Sequence, residues 1–129
     1  MLAMRIVAHY LDGTLIKGTT TDFNQSRPTF HINEEDTGNV RGIQTSELKA
    51  IFFVNTLEGR QDHIERTDME RAGLGKKIKV RFKDGETMFG YTNGYSPGRP
   101  SFFFFPSDPE SNNQRVFILT HSTESVDFC

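Results

Sequence analysis

The chain has 129 residues, enough for one ordinary domain or two very small ones. It is 35% hydrophobic and 25% charged with a formal net charge of −2, which excludes a disordered chain and any overall electrostatic pull toward nucleic acid or membrane. No apolar run approaches the roughly 18 residues of a membrane-spanning helix, and the single cysteine, Cys129, excludes an internal disulfide framework.

The opening MLAMRIVAHYLDG lacks an apolar h-region and a small-residue cleavage site, so a cytoplasmic location is expected. From Arg5 the pattern is strand, Asp12-Gly13, strand, Gly18, turn-rich loop, Arg27-Pro28, strand. Asp-Gly between apolar runs is a strong hairpin signal. A glycine inside a strand suggests a bulge or sharp bend. Val40, Ile43 and the run Leu48 to Phe53 continue the strand pattern.

The same pattern returns 72 residues later without a gap. Residues 5–30 set over residues 77–102 give eight identities, several times the one or two expected by chance. Ile6 meets Ile78, Asp12-Gly13 meets Asp84-Gly85, and Gly18 meets Gly90. Thr20 meets Thr92, Arg27-Pro28 meets Arg99-Pro100, and Phe30 meets Phe102. Downstream the match is looser. Val40 and Ile43 fall near Val116 and Ile118 or Leu119, and Leu48 to Phe53 near Thr123 to Phe128. The second copy carries the longer loop, Ser107 to Gln114.

The expected organisation is a repeat at 1–54, a charged connector at 55–75 and a second repeat at 76–129. The connector has weak helix potential over Asp62 to Ala72, stopped by Gly73 and Gly75, and reads as a solvated linker or a segment lying along the fold. Each repeat holds about five short, bent antiparallel strands, the pattern of a small β-barrel. The predicted fold is all-β: two tandem small antiparallel barrels forming an internal pseudo-dimer. One larger barrel made jointly by both copies is the alternative, because barrels of this size bury little core alone.

The segments DGTLIKGTTTDFN and DGETMFGYTNGYS each place a glycine five residues after Asp-Gly and an aromatic five further on. This resembles the first motif of Sm-like (LSm-type) small barrels. RVFILTHSTESVDF resembles the closing strand pair of that fold, and Val40-Arg41-Gly42 its Arg-Gly element. The chain is also similar to an uncharacterised bacterial family of tandem small barrels. The resemblance implies small Sm/SH3-like antiparallel barrels and admits RNA binding. Sm-type RNA sites place an Asn a few residues past the aromatic, where this chain has Arg27-Pro28 and Arg99-Pro100.

Four groups of residues invite a functional reading. Lys77, Lys79, Arg81 and Lys83 alternate onto one strand face. They suit phosphate contacts, a solvated face, or lysines that protect an edge strand. Arg27 and Arg99 suit either strand-start structure or a pair of small-anion sites. Phe23 and Tyr95 precede these arginines by four residues and could stack on a ligand. In the run PSFFFFP, Phe102 and Phe104 match apolar Phe30 and Ile32, so they belong to the core. Phe103 and Phe105 match His31 and Asn33 and form an extra apolar face. That face packs on the other repeat or is exposed to dock a partner or a base.

Catalysis has no frame. His9, His31, His63 and His121 show no ligand spacing, no nucleophile or phosphate-loop motif is present, and no metal or cofactor is expected. The function expected is that of a non-enzymatic binding or regulatory module working through a protein partner or self-association. The alternatives are single-stranded nucleic-acid binding through the basic strand and small-anion sensing at Arg27 and Arg99.

Overall fold

The computed structural model describes residues 3–59 and 62–129. Among these residues are ten β-strands, two single 3₁₀ turns and no α-helix. The first repeat supplies β1 (Met4–Tyr10), β2 (Leu15–Thr20), β3 (Thr29–Glu34), β4 (Val40–Gln44) and β5 (Leu48–Val54). The second supplies β6 (Lys76–Phe82), β7 (Thr87–Thr92), β8 (Ser101–Pro106), β9 (Asn113–Leu119) and β10 (Thr123–Phe128).

The local chemistry repeats with the sequence. Gly13 and Gly85 take positive φ, and each donates its N–H to the carbonyl three residues back, on Tyr10 and Phe82. Asp12 and Asp84 each accept the N–H two residues on, the Asx-turn role of this residue. Gly18 and Gly90 are obligatory for a different reason. A Cβ on Gly18 would sit 1.9 Å from the Asn33 carbonyl oxygen, and one on Gly90 would sit 2.2 Å from that of Phe105. The glycines let β3 and β8 cross β2 and β7 at close range and bend the sheet. The Thr20 hydroxyl donates to the His31 carbonyl and the Thr92 hydroxyl to that of Phe103, pinning the same crossing twice.

All pairings are antiparallel, and the strands form one sheet in the order β10-β6-β7-β8-β9-β5-β1-β2-β3-β4. The ladder is therefore a single open sheet with β10 and β4 as its edges, rather than two ladders each closed on itself. Within it each repeat has the same internal order. The joint is a seam between β5 and β9, with Ala50 opposite Ile118, Ile51 opposite Phe117 and Phe53 opposite Arg115.

Two apolar clusters lie on either side of the seam. The first is built around Ile6, Phe30, Ile32, Ile43, Ile51 and Phe53, and it takes in Phe117 and Leu119 from β9. The second is built around Ile78, Val80, Phe82, Phe102 and Phe104, and it takes in Ala50 from β5. Alternate residues of β5 and β9 thus feed both clusters, as period-two side chains must when both sheet faces are covered. Phe102 and Phe104 are buried as expected.

The connector forms no helix over its described residues. Its backbone groups bond to the second repeat instead. The Arg66 N–H goes to Asp108, the Arg66 carbonyl accepts from Ser107, and the Met69 carbonyl accepts from the Tyr91 hydroxyl. The Arg71 guanidinium reaches the Pro106 carbonyl. These bonds replace the intrahelical ones that a segment rich in Asp, Thr and Gly would make weakly.

Candidate functional site: the seam and its open counterparts

Superposed registers define which residues are equivalent. Phe30 faces Ile43 as Phe102 faces Ile118, so β4 corresponds to β9 at an offset of 75, and Val40 stands where Arg115 does. Ile6 faces Phe53 as Ile78 faces Phe128, so β5 corresponds to β10 at the same offset. The seam thus joins a β5-type edge to a β4-type edge. The two edges left open, β10 and β4, are the same two types.

The seam is closed by rings and by one buried cation. Phe23 packs edge-on against Phe30 and Phe53 of its own repeat, at 5.3 and 5.4 Å, and against Phe117 across the seam at 5.2 Å. Phe103 lies 5.1 Å from Phe117 and 6.3 Å from Phe53. The Arg115 guanidinium covers Phe53 and Phe103 at 4.5 and 4.8 Å, a cation–π arrangement. Tyr95 repeats the role of Phe23 against Phe102 and Phe128, at 4.9 and 5.8 Å, beside an edge with no neighbouring strand.

Lys49 is only 3% exposed. Its ammonium lies 2.6 Å from the Asp84 carboxylate, hydrogen-bonds to Glu86, and sits 4.5 Å above the Phe82 ring. A buried charge needs such partners. Hydrogen bonds from Lys49 and from the Glu86 N–H hold the Asp84 carboxyl below its ordinary value. Burial, and then Lys49, lower the nearby His9 imidazole. The 3₁₀ turn Thr120–Ser122 adds Ser122 bonded to the Lys49 carbonyl and His121 to that of Leu48. Sequence alone does not single out Lys49; its one signal is a lysine inside the apolar run LKAIFFV.

The residues singled out from sequence fall in separate places. Lys77, Lys79, Arg81 and Lys83 do line the outward side of β6 and the turn after it. That strand lies between β10 and β7, so its lysines do not protect an edge. Acidic residues of β10 stand against them: Asp127 pairs opposite Lys79, and Glu124 lies 3.7 Å from Arg81. Arg27 and Arg99 each donate their backbone N–H within the preceding loop, and the Pro28 and Pro100 carbonyls accept Thr45 and Thr120. Arg99, Phe103 and Phe105 meet with Gln25 and Asn93 along a cleft of about 520 Å³ between the loops of the two repeats.

One further cluster appears only in three dimensions. His63 Nε2 lies 2.8 Å from Asp108 Oδ2, and the Glu65 carboxylate is within 4.8 Å of both. One imidazole and two carboxylates could hold a divalent cation. Asp108, 1% exposed, already accepts the N–H groups of Arg66 and Glu110. Burial pushes its carboxyl up, but these bonds and His63 outweigh it and hold it below the ordinary value. The cluster fastens the connector to the second repeat. Among the described residues no helix is long and apolar enough to cross a membrane.

A family described as a family of unknown function (DUF6982) matches residues 2–129. No curated protein and no solved structure matches the chain.

Proposed function

Taking as premise that the chain belongs to the DUF6982 family, we propose that it is a non-enzymatic protein-interaction module. Its two bent five-stranded repeats act as tandem Sm-like small barrels, and copies assemble head to tail through β10 of one and β4 of the next. The observation that carries this reading is the seam itself, a β5-type edge already joined to a β4-type edge within the chain while the other such pair stays open. Such a heterologous contact leaves a free edge of each type after every addition. Transferring the seam register places Val40 opposite Phe128, Arg41 opposite Asp127 and Ile43 opposite Ser125. Val40 and Phe128 are 66% and 50% exposed, and together they would cover apolar surface where the seam has Arg115 over Phe53. Arg41 and Asp127 are opposite charges at facing positions, a favourable cross-strand pair.

Sedimentation equilibrium from micromolar to millimolar protein tests the reading. The expected result is a mean mass that climbs above the 14.7 kDa of one chain. A mass fixed at one chain throughout would overturn it.

A second reading rests on the cleft. An arginine and two partly exposed phenylalanines lining one cleft suit a small planar anion. Under that reading a nucleoside monophosphate raises the melting temperature, and Arg99→Ala removes the rise.

A further inference from the structure

The residue at the Lys49 position of the open edge is Glu124, and this reversal bears on how copies meet. Every part of the buried cation site has an equivalent in the other repeat. Lys49 corresponds to Glu124, Asp84 to Asp12, Glu86 to Thr14 and Phe82 to Tyr10. In the seam an ammonium lies between two carboxylates over a ring. A copy–copy junction in the same register brings the Glu124 carboxylate toward the Asp12 carboxylate of the next chain. Neither acid has the strong partner that Lys49 has. Glu124 and Arg81 are 3.7 Å apart with both side chains more than half exposed, and Asp12 is an exposed turn residue bonded to the Thr14 N–H.

We infer that Glu124 is the specificity-determining residue of the junction between copies: facing Asp12, it keeps that junction weak and reversible, while Lys49 makes the seam permanent. The inference rests on the self-assembly reading above. Its physical basis is the like-charge pair at a contact that would have to lose water, where the seam has opposite charges. A charged side chain on an edge strand is a known way to limit edge pairing. It acts here against the very register that Val40, Phe128, Arg41 and Asp127 favour, so pairing is permitted but limited. The same asymmetry keeps a copy's β10 from displacing its own seam strand β5, since only β5 carries the lysine that fits Asp84.

The test is the self-association constant of the full chain measured by sedimentation for the natural sequence, Glu124→Gln and Glu124→Lys. Asp62→Lys, an equal change of net charge on the connector, is the control. Association should tighten in that order, with Glu124→Lys about tenfold or more stronger than the natural chain. Asp12→Asn should tighten the natural chain but weaken Glu124→Lys, a coupling that a general charge effect does not give. Melting curves confirm that each variant is folded. If the natural chain associates and Glu124→Lys associates equally or less, the role of Glu124 is overturned and the self-assembly reading stands. If Asp62→Lys matches Glu124→Lys, the role of Glu124 is likewise overturned. If the natural chain stays at the mass of one chain throughout, the self-assembly reading falls and takes this inference with it.

Discussion

The seam and the open edges are built from the same two strand types and differ in what their side chains are. At the seam, β5 and β9 present Leu48, Ala50, Ile51, Phe53, Val116, Phe117 and Ile118, all buried. On the open edges the matching positions hold Thr123, Ser125, Val126, Phe128, Arg41, Gly42 and Ile43. Only Ile43 of these is buried. One backbone arrangement therefore serves as a permanent joint in one place and a solvated edge in another. The difference lies in apolar area and in the exchange of Lys49 for Glu124, because area sets most of the strength and charge sets the fit.

The comparison can be broken most forcefully at Phe117 and Gly42, which occupy the same register position. Phe117→Ala should cost about 3–5 kcal/mol, because the ring belongs to the first core cluster from across the seam. Gly42→Ala should fall within about 0.5 kcal/mol, since a Cβ there meets nothing within 4 Å. Denaturant melts of both variants check this, and equal costs would deny that the two edges differ.

A smaller effect comes from the cation. Lys49→Met should destabilise by about 2–3 kcal/mol, below the upper range for broken buried pairs because Asp84 and Glu86 keep roughly half their exposure. The same site gives a pH dependence. Asp84 is held below its ordinary value in the folded chain, so its contribution is fully present above the unfolded carboxyl pKa of about 4. It is lost as pH falls through the lower folded value. Melting temperature should drop through that acid range in the natural chain, with a shallower drop in Lys49→Met. Parallel pH profiles would count against the seam role of Lys49.

The smallest expected effect sharpens the reading of the four phenylalanines. Phe103→Ala should cost about 2 kcal/mol, since the ring is half-buried against Phe117 and Phe53. Phe105→Ala should cost less, because that ring lines the cleft and has no ring neighbour among the described contacts.

Much of the fold is legible in the chain because its signals are local. Asp-Gly, the inner glycine and Arg-Pro recur at one spacing and give both repeats the same turns and crossing. Alternation places Phe102 and Phe104 in the core. The seam is harder to read. Continuous apolar runs at 50–54 and 116–119 imply two covered faces, yet a run does not name what covers it. Lys49 meets Asp84 and Glu86 across 35 residues and more, and no spacing rule reaches that far. The basic face of β6 is read correctly as a face, but the acids opposite it lie on a strand more than 40 residues later. The connector misleads because its helix signal is weak and the loop carrying Asp108 claims its backbone groups.

The most direct measurement is disulfide trapping at two registers. Val40→Cys with Phe128→Cys joins facing positions, and Val40→Cys with Val126→Cys joins positions two residues out of step. Both go in a Cys129→Ser background, with products resolved by mass. Facing residues of antiparallel strands have Cα atoms about 4.5–5.5 Å apart, within disulfide reach. The account predicts that the first pair is trapped between chains far faster than the second. Equal trapping, or trapping of the second pair alone, would contradict it.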